Sequence, residues 1–439
     1  MSPMQLGIVA DDLSGAAECA AHALLRVSRS SVVLHGLPDP TDQIVTIDTD
    51  TRGRAGDEAV DRLRAAAALV RSAPVVVKKV DSLLRGNLAR EIASLAEALG
   101  RMPVVAVANP ALRRTVRGGI LHIDDTPLHA TELWHVEASV PPPSVAHALA
   151  PLRAVVIPQS VVAAGVDAVA SALSDAERDG AVAVCDALTE HDLSTIHAAT
   201  LTLSHETLLV GSGALVDVAV RALALQPALP RQSDSQSAPP TPRVTSLLMV
   251  LGTRAPSAPA QLARVAERAD HVEVIAPRDL LADPAGVAAH LAHVVSTTRE
   301  ARLVVVTIDP SAAVDDSASA RLVTALADAT APVADRFGGV FLSGGETARA
   351  LLDRLGAQTL RVVGELGTGT VVSHRDGGAV VVTRPGSFGG PDSLLHVAER
   401  LLDGQAPHGS SDPVPGSLDT ATPAATAHAP QHVTPKENP

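Results

Sequence analysis

The strongest constraint on the fold is a repeated alternation of short aliphatic runs with longer helical stretches. In the first half, the aliphatic runs are Leu6–Ala10, Ile44–Ile47, Pro74–Val77 and Val104–Val107. Ala, Leu, Arg and Glu at helical spacing fill the segments between them, over Gly15–Val27, Asp57–Ala73 and Asn87–Gly100. Continuous apolar runs are typical of strands buried on both faces. The sequence therefore predicts an α/β fold with mostly parallel sheets.

A second α/β series follows a break in composition. Residues Gln232–Thr241 read QSDSQSAPPT, which is typical of an interdomain linker. Beyond it, the aliphatic runs are Leu247–Leu251, Leu303–Ile308, Gly339–Leu342, Leu360–Val363 and Ala379–Thr383. From about Gly404 onward, Pro, Ala, Thr, His and Gly follow no period. In a chain of 439 residues we expect two α/β domains, at 1–230 and 245–404, a Ser/Pro-rich linker at 231–244 and a disordered tail at 405–439.

Charge and cysteine content narrow the class of protein. The formal net charge of −13 disfavours binding to nucleic acid and to anionic membrane surfaces. Cys19 and Cys185 are the two cysteines, which is too few for a disulfide framework or a zinc site and fits a reducing compartment. We find neither a signal peptide nor an apolar run long enough to span a bilayer. We expect a cytoplasmic protein with small-molecule ligands, and leave homo-oligomerisation open.

Two adjacent carboxylates stand directly after the first predicted strand. Asp11 and Asp12 follow that strand, and Ser14 and Gly15 open the next helix. Ligands of parallel sheets bind at the carboxyl ends of the strands. Paired carboxylates there hold Mg²⁺, bind sugar hydroxyls or accept a proton. Helix capping explains one such side chain well and the pair poorly, so we interpret the pair as functional.

Cationic and polar residues cluster after the strand Pro74–Val77. The segment KKVDSLLRGN contains Lys78, Lys79, Asp81, Ser82, Arg85 and Asn87. Cations beside a helix amino terminus favour a bound carboxylate or phosphate, although the residues do not distinguish the two anions. Two weaker candidate loops also follow strands. The segment IDTDTR carries Asp48, Asp50 and Arg52, and a later loop carries Asn109, Arg114, Gly118 and Gly119.

Glycine-bearing turns follow the strands of the second half. The first has Gly252 and Thr253, and the second has Ser343, Gly344, Gly345, Glu346 and Thr347. The third has Gly364, Glu365, Gly367 and Gly369, and the fourth has Arg384, Gly386, Ser387, Gly389 and Gly390. Backbone N–H groups in such turns approach phosphates closely. Since the chain has neither a P-loop nor a first-strand G-x-G-x-x-G motif, we predict a different kind of nucleotide site along this edge.

Four motifs together resemble one enzyme family. The segments ADDLSGAAE, KKVDSLLRGN, LSGGETA and RPGSFG, in this order, resemble the four-carbon acid sugar kinases, which include 3-oxo-tetronate, D-threonate and D-erythronate kinases. The resemblance spans Leu6 to Leu402. It implies an N-terminal substrate domain, a C-terminal nucleotide domain, ATP as donor and phosphorylation of a terminal 4-hydroxyl.

The resemblance also implies roles for particular residues. On the acid-sugar side it places Asp11, Asp12, Lys79, Asp81, Ser82, Arg85 and Asn87, and it gives weight to Arg114. On the ATP side it places Thr253, Ser343, Gly344, Gly345, Glu346 and Gly386, with Thr347 in the same turn. The sequence departs from the family pattern at Leu83, Ala255, Gly367 and Arg384.

Phosphoryl transfer requires in-line positioning, charge neutralisation by Mg²⁺ and cations, and a base near the acceptor hydroxyl. We expect Arg85 with Lys79 to bind the substrate carboxylate and Asp12 to act as base, with Asp11 as the alternative base. The metal ligands do not follow from the residues.

With substrate and ATP on different domains, we expect the domains to close for reaction. Alternatives are a kinase for another small sugar acid and a non-catalytic sensor of nucleotide or sugar acid.

Overall fold

The computed structural model describes residues 4–54, 56–134, 140–223, 242–253, 255–298, 300–312, 318–367 and 369–403. The strands of the first half are β1 (Leu6–Ala10), β2 (Ser30–Val33), β3 (Ile44–Asp48), β4 (Val75–Lys79), β5 (Met102–Ala106), β6 (Arg114–Arg117), β7 (Ile120–Ile123), β8 (Thr126–Pro127), β9 (Ala154–Ile157), β10 (Val182–Cys185) and β11 (Thr207–Gly211). Its helices are α1 (Leu13–Ala23), α2 (Asp57–Val70), α3 (Leu88–Leu99), α4 (Val145–Ala148), α5 (Gln159–Ala163), α6 (Val166–Arg178), α7 (Glu190–Leu201) and α8 (Gly213–Ala222).

The second half repeats the pattern of strands and helices. Its strands are β12 (Leu247–Leu251), β13 (His271–Ile275), β14 (Leu303–Ile308), β15 (Gly339–Ser343), β16 (Thr359–Gly367), β17 (Thr370–Arg375) and β18 (Val380–Arg384). Its helices are α9 (Ala258–Ala266), α10 (Pro277–Ala282), α11 (Pro284–Thr297), α12 (Ser319–Ala334), α13 (Gly345–Arg354) and α14 (Ser393–Asp403). The predicted linker, apart from residues 242–244, and the predicted tail lie outside the described residues.

The predicted α/β class is confirmed, and the strand bounds agree closely. β1, β12 and β14 coincide with their predicted runs, and the other predicted runs of the first half are shifted by one or two residues. α1 begins at Leu13, two residues earlier than predicted, because the Asp12 carboxylate accepts a hydrogen bond from the Gly15 N–H and caps the helix. β16 extends well beyond Leu360–Val363 and pairs antiparallel with β17.

One large sheet runs through both halves of the molecule. Fifteen strands lie in the order β13-β14-β12-β15-β18-β17-β16-β2-β3-β1-β4-β11-β5-β10-β9, and β6, β7 and β8 form a separate antiparallel sheet. In the large sheet the first-half strands are parallel to one another, and so are β13, β14, β12, β15 and β18 of the second half. β17 is antiparallel to both of its neighbours, β18 and β16. The two parallel sets are joined where β2 of the first half pairs antiparallel with β16 of the second. The two predicted sheets are therefore one continuous sheet.

Helix α1 packs into a core that both halves build. Its buried Leu13, Ala16 and Ala20 belong to the same apolar cluster as Leu248 and Leu342 of the second half. Small alanine side chains let the helix lie close to its neighbours, among them α13. Because α1 begins directly after the paired carboxylates, this packing places Asp11 and Asp12 at the junction of the halves. None of the helices within the described ranges is both long and apolar enough for a bilayer.

Candidate active site

Arg52 joins three carboxylates at the carboxyl end of the first-half sheet. Its Nε and Nη2 donate to the two Asp11 oxygens at 2.8 and 2.9 Å, and Nη2 also donates to Asp12 Oδ1 at 2.8 Å. Its Nη1 lies 3.9 Å from Asp81 Oδ1. A planar guanidinium is suited to such a bidentate contact, which fixes the carboxylates in orientation as well as in charge.

The loop after β3 places Arg52 by resting on the segment after β1. The Thr49 N–H donates to the Ala10 carbonyl at 3.0 Å, and the N–H groups of Thr51 and Arg52 donate to the Asp11 carbonyl at 2.9 and 3.1 Å. These bonds continue the parallel pairing of β1 and β3 beyond the strands. The Arg52 side chain then folds back over the carboxylates of the segment that its own backbone contacts.

The cations around Asp11 and Asp81 keep both groups ionised. Burial alone would raise the pKa of Asp11, but Arg52, Lys78 and Lys79 hold it below its ordinary value. For Asp81 burial likewise raises the pKa, and Arg85 and Arg52 lower it far below the usual range. The Asp11 side chain is 3% exposed and that of Asp12 is 16% exposed, so Asp12 is the carboxylate that a ligand reaches more easily.

Arg85, predicted to bind the substrate carboxylate, forms a bidentate ion pair with Asp81. Arg85 Nε lies 2.7 Å from Asp81 Oδ2, and Nη2 lies 2.9 Å from Oδ1. Asp81 Oδ2 also accepts the Leu83 N–H at 3.2 Å. The indole of Trp134 donates to the Leu83 carbonyl at 2.9 Å from the other side. Leu83, a departure from the family pattern, is buried in the core below this loop.

The two adjacent lysines have different surroundings. Lys78 is fully buried and pairs with Glu91 of α3 at 2.7 Å. Lys79 lies over the first turn of α1, where a Cβ atom on Gly15 would be 2.6 Å from its Nζ. Burial would lower the pKa of Lys79, but Glu18 and the Asp11–Asp12 pair raise it above its ordinary value. Lys79 is therefore a fixed positive charge beside the carboxylates.

Arg114 and Asn87 hold neighbouring loops by different contacts. Arg114, on β6, donates from Nη1 to the Ser82 hydroxyl, while its Nε is buried with no hydrogen-bond partner among the described residues. Burial lowers the pKa of Arg114. The Asn87 amide donates to the Arg54 carbonyl and so ties the 81–87 segment to the loop that carries Arg52. Of the two, Arg114 retains the capacity to bind an anion.

The glycine turns of the second half meet at the carboxyl ends of β12, β15 and β18, which lie side by side. The Thr347 side chain packs against Gly252, and the Thr253 side chain packs against Gly386. Of the third predicted turn, Gly364, Glu365 and Gly367 lie within β16, and Gly369 lies at the tip of the β16–β17 hairpin, where its N–H donates to Glu365 at 2.5 Å. The hairpin tip reaches the same edge of the sheet, since Gly369 contacts Phe388.

The amino terminus of α13 carries the features of a phosphate cradle. Gly344 occupies the cap position before the helix with a φ of 101°, and as a glycine it makes no side-chain capping hydrogen bond. The Ser343 hydroxyl is fully buried, and the Ser14 hydroxyl is nearly so; neither has a hydrogen-bond partner in the described part of the chain. A helix amino terminus without a capping side chain favours an anion through its N–H groups and dipole, and the two hydroxyls are further hydrogen-bonding groups at the same place.

The two halves of the site meet at Gly345. A Cβ atom there would lie 2.8 Å from Asp12 Oδ2 and 3.1 Å from the Ser14 hydroxyl. Glu346 lies beside Gly53, in the loop next to Arg52. The structure therefore brings the predicted acid-sugar residues and the predicted nucleotide residues to one place. The described residues contain no cluster of three or more His, Cys, Asp or Glu side chains able to hold a metal ion.

Two residues of the site lacked a strong signal in the sequence: Arg52 was named only within a weaker candidate loop, and Trp134 was not a candidate. Arg52 had a sequence signal, because it follows a predicted strand in a polar segment, but the fold-back onto Asp11 and Asp12 depends on the pairing of β1 with β3. Trp134 had no signal in the sequence, since what it contributes is one hydrogen bond, from its indole N–H to the Leu83 carbonyl. The assigned roles of the predicted site residues remain predictions.

Comparisons with known proteins match both halves. A sugar-binding N-terminal domain model matches residues 6–219, and a nucleotide-binding C-terminal domain model matches residues 248–394. A D-threonate kinase of Cupriavidus necator is 33% identical over 91% of this chain and 99% of its own length. A D-threonate kinase of Salmonella typhimurium is 28% identical over 91% and 100%. A solved Salmonella typhimurium structure superposes with a TM-score of 0.71 at 21% identity, covering 91% of this chain and 100% of that one.

Replacing Arg52 with Met tests whether this cation balances the buried carboxylates. We expect the free energy of unfolding to fall by about 3–5 kcal/mol at pH 7, because Asp11 is left buried without its main partner. In the wild type, the lowered pKa of Asp11 gives stability above its ordinary pKa of 3.8 that is lost as the pH falls. In the variant, burial raises that pKa, so protonation relieves the defect. The stability difference should shrink from pH 7 to pH 4 in urea unfolding.

The matched control is Arg54→Met in the same loop. Arg54 forms its ion pairs with Asp50 and Glu58 at a partly exposed position, so we expect the free energy of unfolding to change by less than about 1 kcal/mol. Equal losses in the two variants, or a loss in Arg52→Met that does not vary with pH, would contradict the balancing role of Arg52.

Proposed function

Because the chain belongs to the four-carbon acid sugar kinase family, we propose that it transfers the γ-phosphoryl group of ATP to the terminal 4-hydroxyl of a four-carbon sugar acid. One observation carries the proposal: the uncapped amino terminus of α13 lies directly against Asp12 of the first half. A phosphate donor bound at that helix faces a carboxylate able to accept the proton of a hydroxyl group. The D-threonate kinases of Cupriavidus necator and Salmonella typhimurium make D-threonate the first substrate to test.

We assign the sugar acid to the first half, about residues 1–230, and the nucleotide to the second half, about 245–404. The matching domain models divide the chain in the same way. The backbone N–H groups at the first turn of α13, from Gly345 and Glu346, bind the ATP phosphates, with the Ser343 hydroxyl as a further donor. The Gly344 N–H already donates to the Arg384 carbonyl at 2.9 Å. Thr253 and Gly386 form the neighbouring wall, since their packing brings the ends of β12 and β18 together.

Asp12 is the base in this proposal. Asp11 is held at both oxygens by Arg52 and is almost fully buried, whereas Asp12 is more exposed and lies nearer to α13. Asp12 accepts the proton of the 4-hydroxyl as the new P–O bond forms, and the bond from phosphorus to the ADP oxygen breaks in line. Lys79 and Arg52 offset the negative charge that collects around the transferred group. Bound Mg²⁺ supplies further neutralisation of the phosphates.

Arg114 fits the substrate carboxylate better than Arg85 does. Arg85 already shares its guanidinium with Asp81 in a bidentate pair, whereas Arg114 has a buried Nε without a partner in the described ranges. A carboxylate bound by Arg114 would compensate a largely buried cation whose pKa is lowered by burial in spite of Asp81. With the carboxylate held at the β6 side, the terminal hydroxyl of a short chain extends towards Asp12. This arrangement favours small sugar acids over neutral sugars.

The function is tested by ADP release from Mg-ATP. The panel consists of D- and L-threonate, D- and L-erythronate and 3-oxo-tetronate, with D-gluconate and no added sugar as controls. We expect release with one or more four-carbon acids and none with the controls. A folded protein that binds ADP yet releases none with any member would contradict the proposal and favour a sensor or another sugar-acid substrate.

Replacing Asp12 with Asn tests the base. We expect kcat to fall by about 10²- to 10⁴-fold, because general-base assistance is lost. Substrate affinity should persist, measured by fluorescence of Trp134, the single tryptophan in a chain without tyrosine. The control is Asp57→Asn, an exposed carboxylate that pairs with Arg90 and should leave kcat unchanged. Full kcat in Asp12→Asn would exclude Asp12 as the base.

Replacing Arg114 with Met tests the carboxylate contact. We expect the Kd of the sugar acid to rise by about 10- to 100-fold, since a hydrogen bond to a charged group contributes ~1.5–3 kcal/mol. The Kd of ADP should stay the same, because the nucleotide lies on the other half. The neighbouring Arg113→Met is the control, as Arg113 is exposed and pairs with Asp124. Equal sugar-acid affinity in the two variants would assign the carboxylate to other cations.

A further inference from the structure

We propose that Arg349 is a positioning residue: through its ion pair with Asp48, it fixes the helix of the phosphate cradle relative to the loop that holds the paired carboxylates. This inference rests on the proposed function, since it concerns the geometry of the same phosphoryl transfer. Neither residue contacts substrate in this arrangement, so the proposed effect is exerted through α13 and Arg52.

Arg349 makes a buried set of contacts across the junction of the halves. The residue is 2% exposed. Its Nη1 donates to Asp48 Oδ2 at 2.8 Å and to the Asp48 carbonyl at 3.3 Å, and its Nη2 donates to the Leu34 carbonyl at 3.2 Å. Its Nε donates to Asp353 on its own helix at 2.8 Å. Asp353 is in turn 2.9 Å from the ring of His35 in the first half.

Both residues of the ion pair are close in sequence to residues of the site. Arg349 is one helical turn after Gly345, whose backbone lies against Asp12. Asp48 ends β3 and begins the loop that leads to Arg52. A displacement of the ion pair would therefore change the position of the cradle relative to Asp12. A misplacement of about 1 Å is enough to reduce phosphoryl transfer by about 100-fold.

Cohesion of the halves does not require this ion pair. The β2–β16 hydrogen bonds and the apolar packing of α1 already join them. Removing two charges from water is costly, and apolar residues of similar size often give equal or greater stability. The hydrogen bonds of the Arg349 guanidinium instead fix the orientation and the distance of α13 relative to the end of β3. The buried ion pair therefore contributes a fixed relative position of the two halves rather than net stability.

The pH dependence of kcat distinguishes a positioning role of this ion pair from a purely stabilising one. Burial raises the pKa of Asp48 to about 6, with Arg349 opposing and Asp50 reinforcing the shift. The other groups facing Arg349 are Asp353 on its own helix and His35 beyond β2. Below about pH 6, Asp48 takes up a proton and the ion pair is lost, so kcat should fall as the pH falls.

Stability changes in the opposite direction over the same pH range. The pKa of Asp48 in the folded protein, about 6, lies above its ordinary value of 3.8. The folded state therefore binds more protons than the unfolded state between these values, and the contribution of Asp48 to the free energy of unfolding falls as the pH rises. A purely structural role would make activity follow stability, whereas positioning makes the two diverge.

The experiment compares the full-length wild type with Asp48→Asn, Arg349→Met and Arg349→Lys. We expect kcat to fall by about 10- to 100-fold in Asp48→Asn and Arg349→Met. Arg349→Lys should recover part of the activity, since lysine keeps the positive charge but not the planar guanidinium with its several donors. Affinities for ADP and for D-threonate, followed by Trp134 fluorescence, should stay at the wild-type values. The loss of kcat below about pH 6 should be absent in Asp48→Asn.

Arg354→Met is the matched control. Arg354 lies on the same helix and pairs at 2.8 Å with Asp328, which belongs to the same half, so kcat should not change. Asp48→Asn conserves size and decides the question if Arg349→Met does not fold.

Three results would overturn the inference. One is an unchanged kcat in folded Asp48→Asn and Arg349→Met, and another is a loss of kcat in parallel with both affinities. A wild type that releases no ADP with any sugar acid would remove the proposed function together with this inference. An active wild type with unimpaired variants would remove the inference alone.

Discussion

The antiparallel pairing of β2 with β16 is the contact on which the site depends. It reverses the strand direction between the two parallel sets, which by itself would point their carboxyl ends away from each other. Six neighbouring pairs separate β1 from β15 in the sheet order. At roughly 20–25° of twist per pair, the sheet turns by about 120–150° over this distance. Such a twist offsets much of the reversal in direction, and the packing of α1 against α13 brings the turn after β15 against the turn after β1.

Where the two turns meet, positive groups compensate the carboxylates within the protein. Asp11 and Asp81 are ionised although they are buried, because Arg52, Arg85 and the lysines surround them. Such pairs cost desolvation energy and give little net stability, so their value lies in fixed geometry. Arg114 is the exception, since its charge is buried and one of its donors has no partner among the described residues. A site organised in this way is ready to bind one further anion.

The sequence predicted the parts of the site better than their arrangement. Local signals were sufficient for β1, β12 and β14, because each is a short aliphatic run between polar turns. They were also sufficient to select Asp11, Asp12 and the turn at Ser343–Thr347, which stand at strand ends. The β2–β16 pairing joins Val33 with Thr359, and the Arg349–Asp48 contact joins residues 301 positions apart in the chain. No periodicity in one segment specifies a partner at that separation, so the single sheet and both arginine contacts required the structure.

The continuous sheet also restricts how the enzyme opens. A hinge at the predicted linker would have to break the β2–β16 hydrogen bonds, the buried ion pair and the apolar packing of α1. The β6–β8 sheet is likewise anchored to the first half, by two backbone hydrogen bonds between Val116 and Ala187, by the Gly118 and Gly119 N–H groups on Asp186, and by core packing of Val116. On this argument the amino terminus of α13 and Asp12 stay in register without a closure of the two halves.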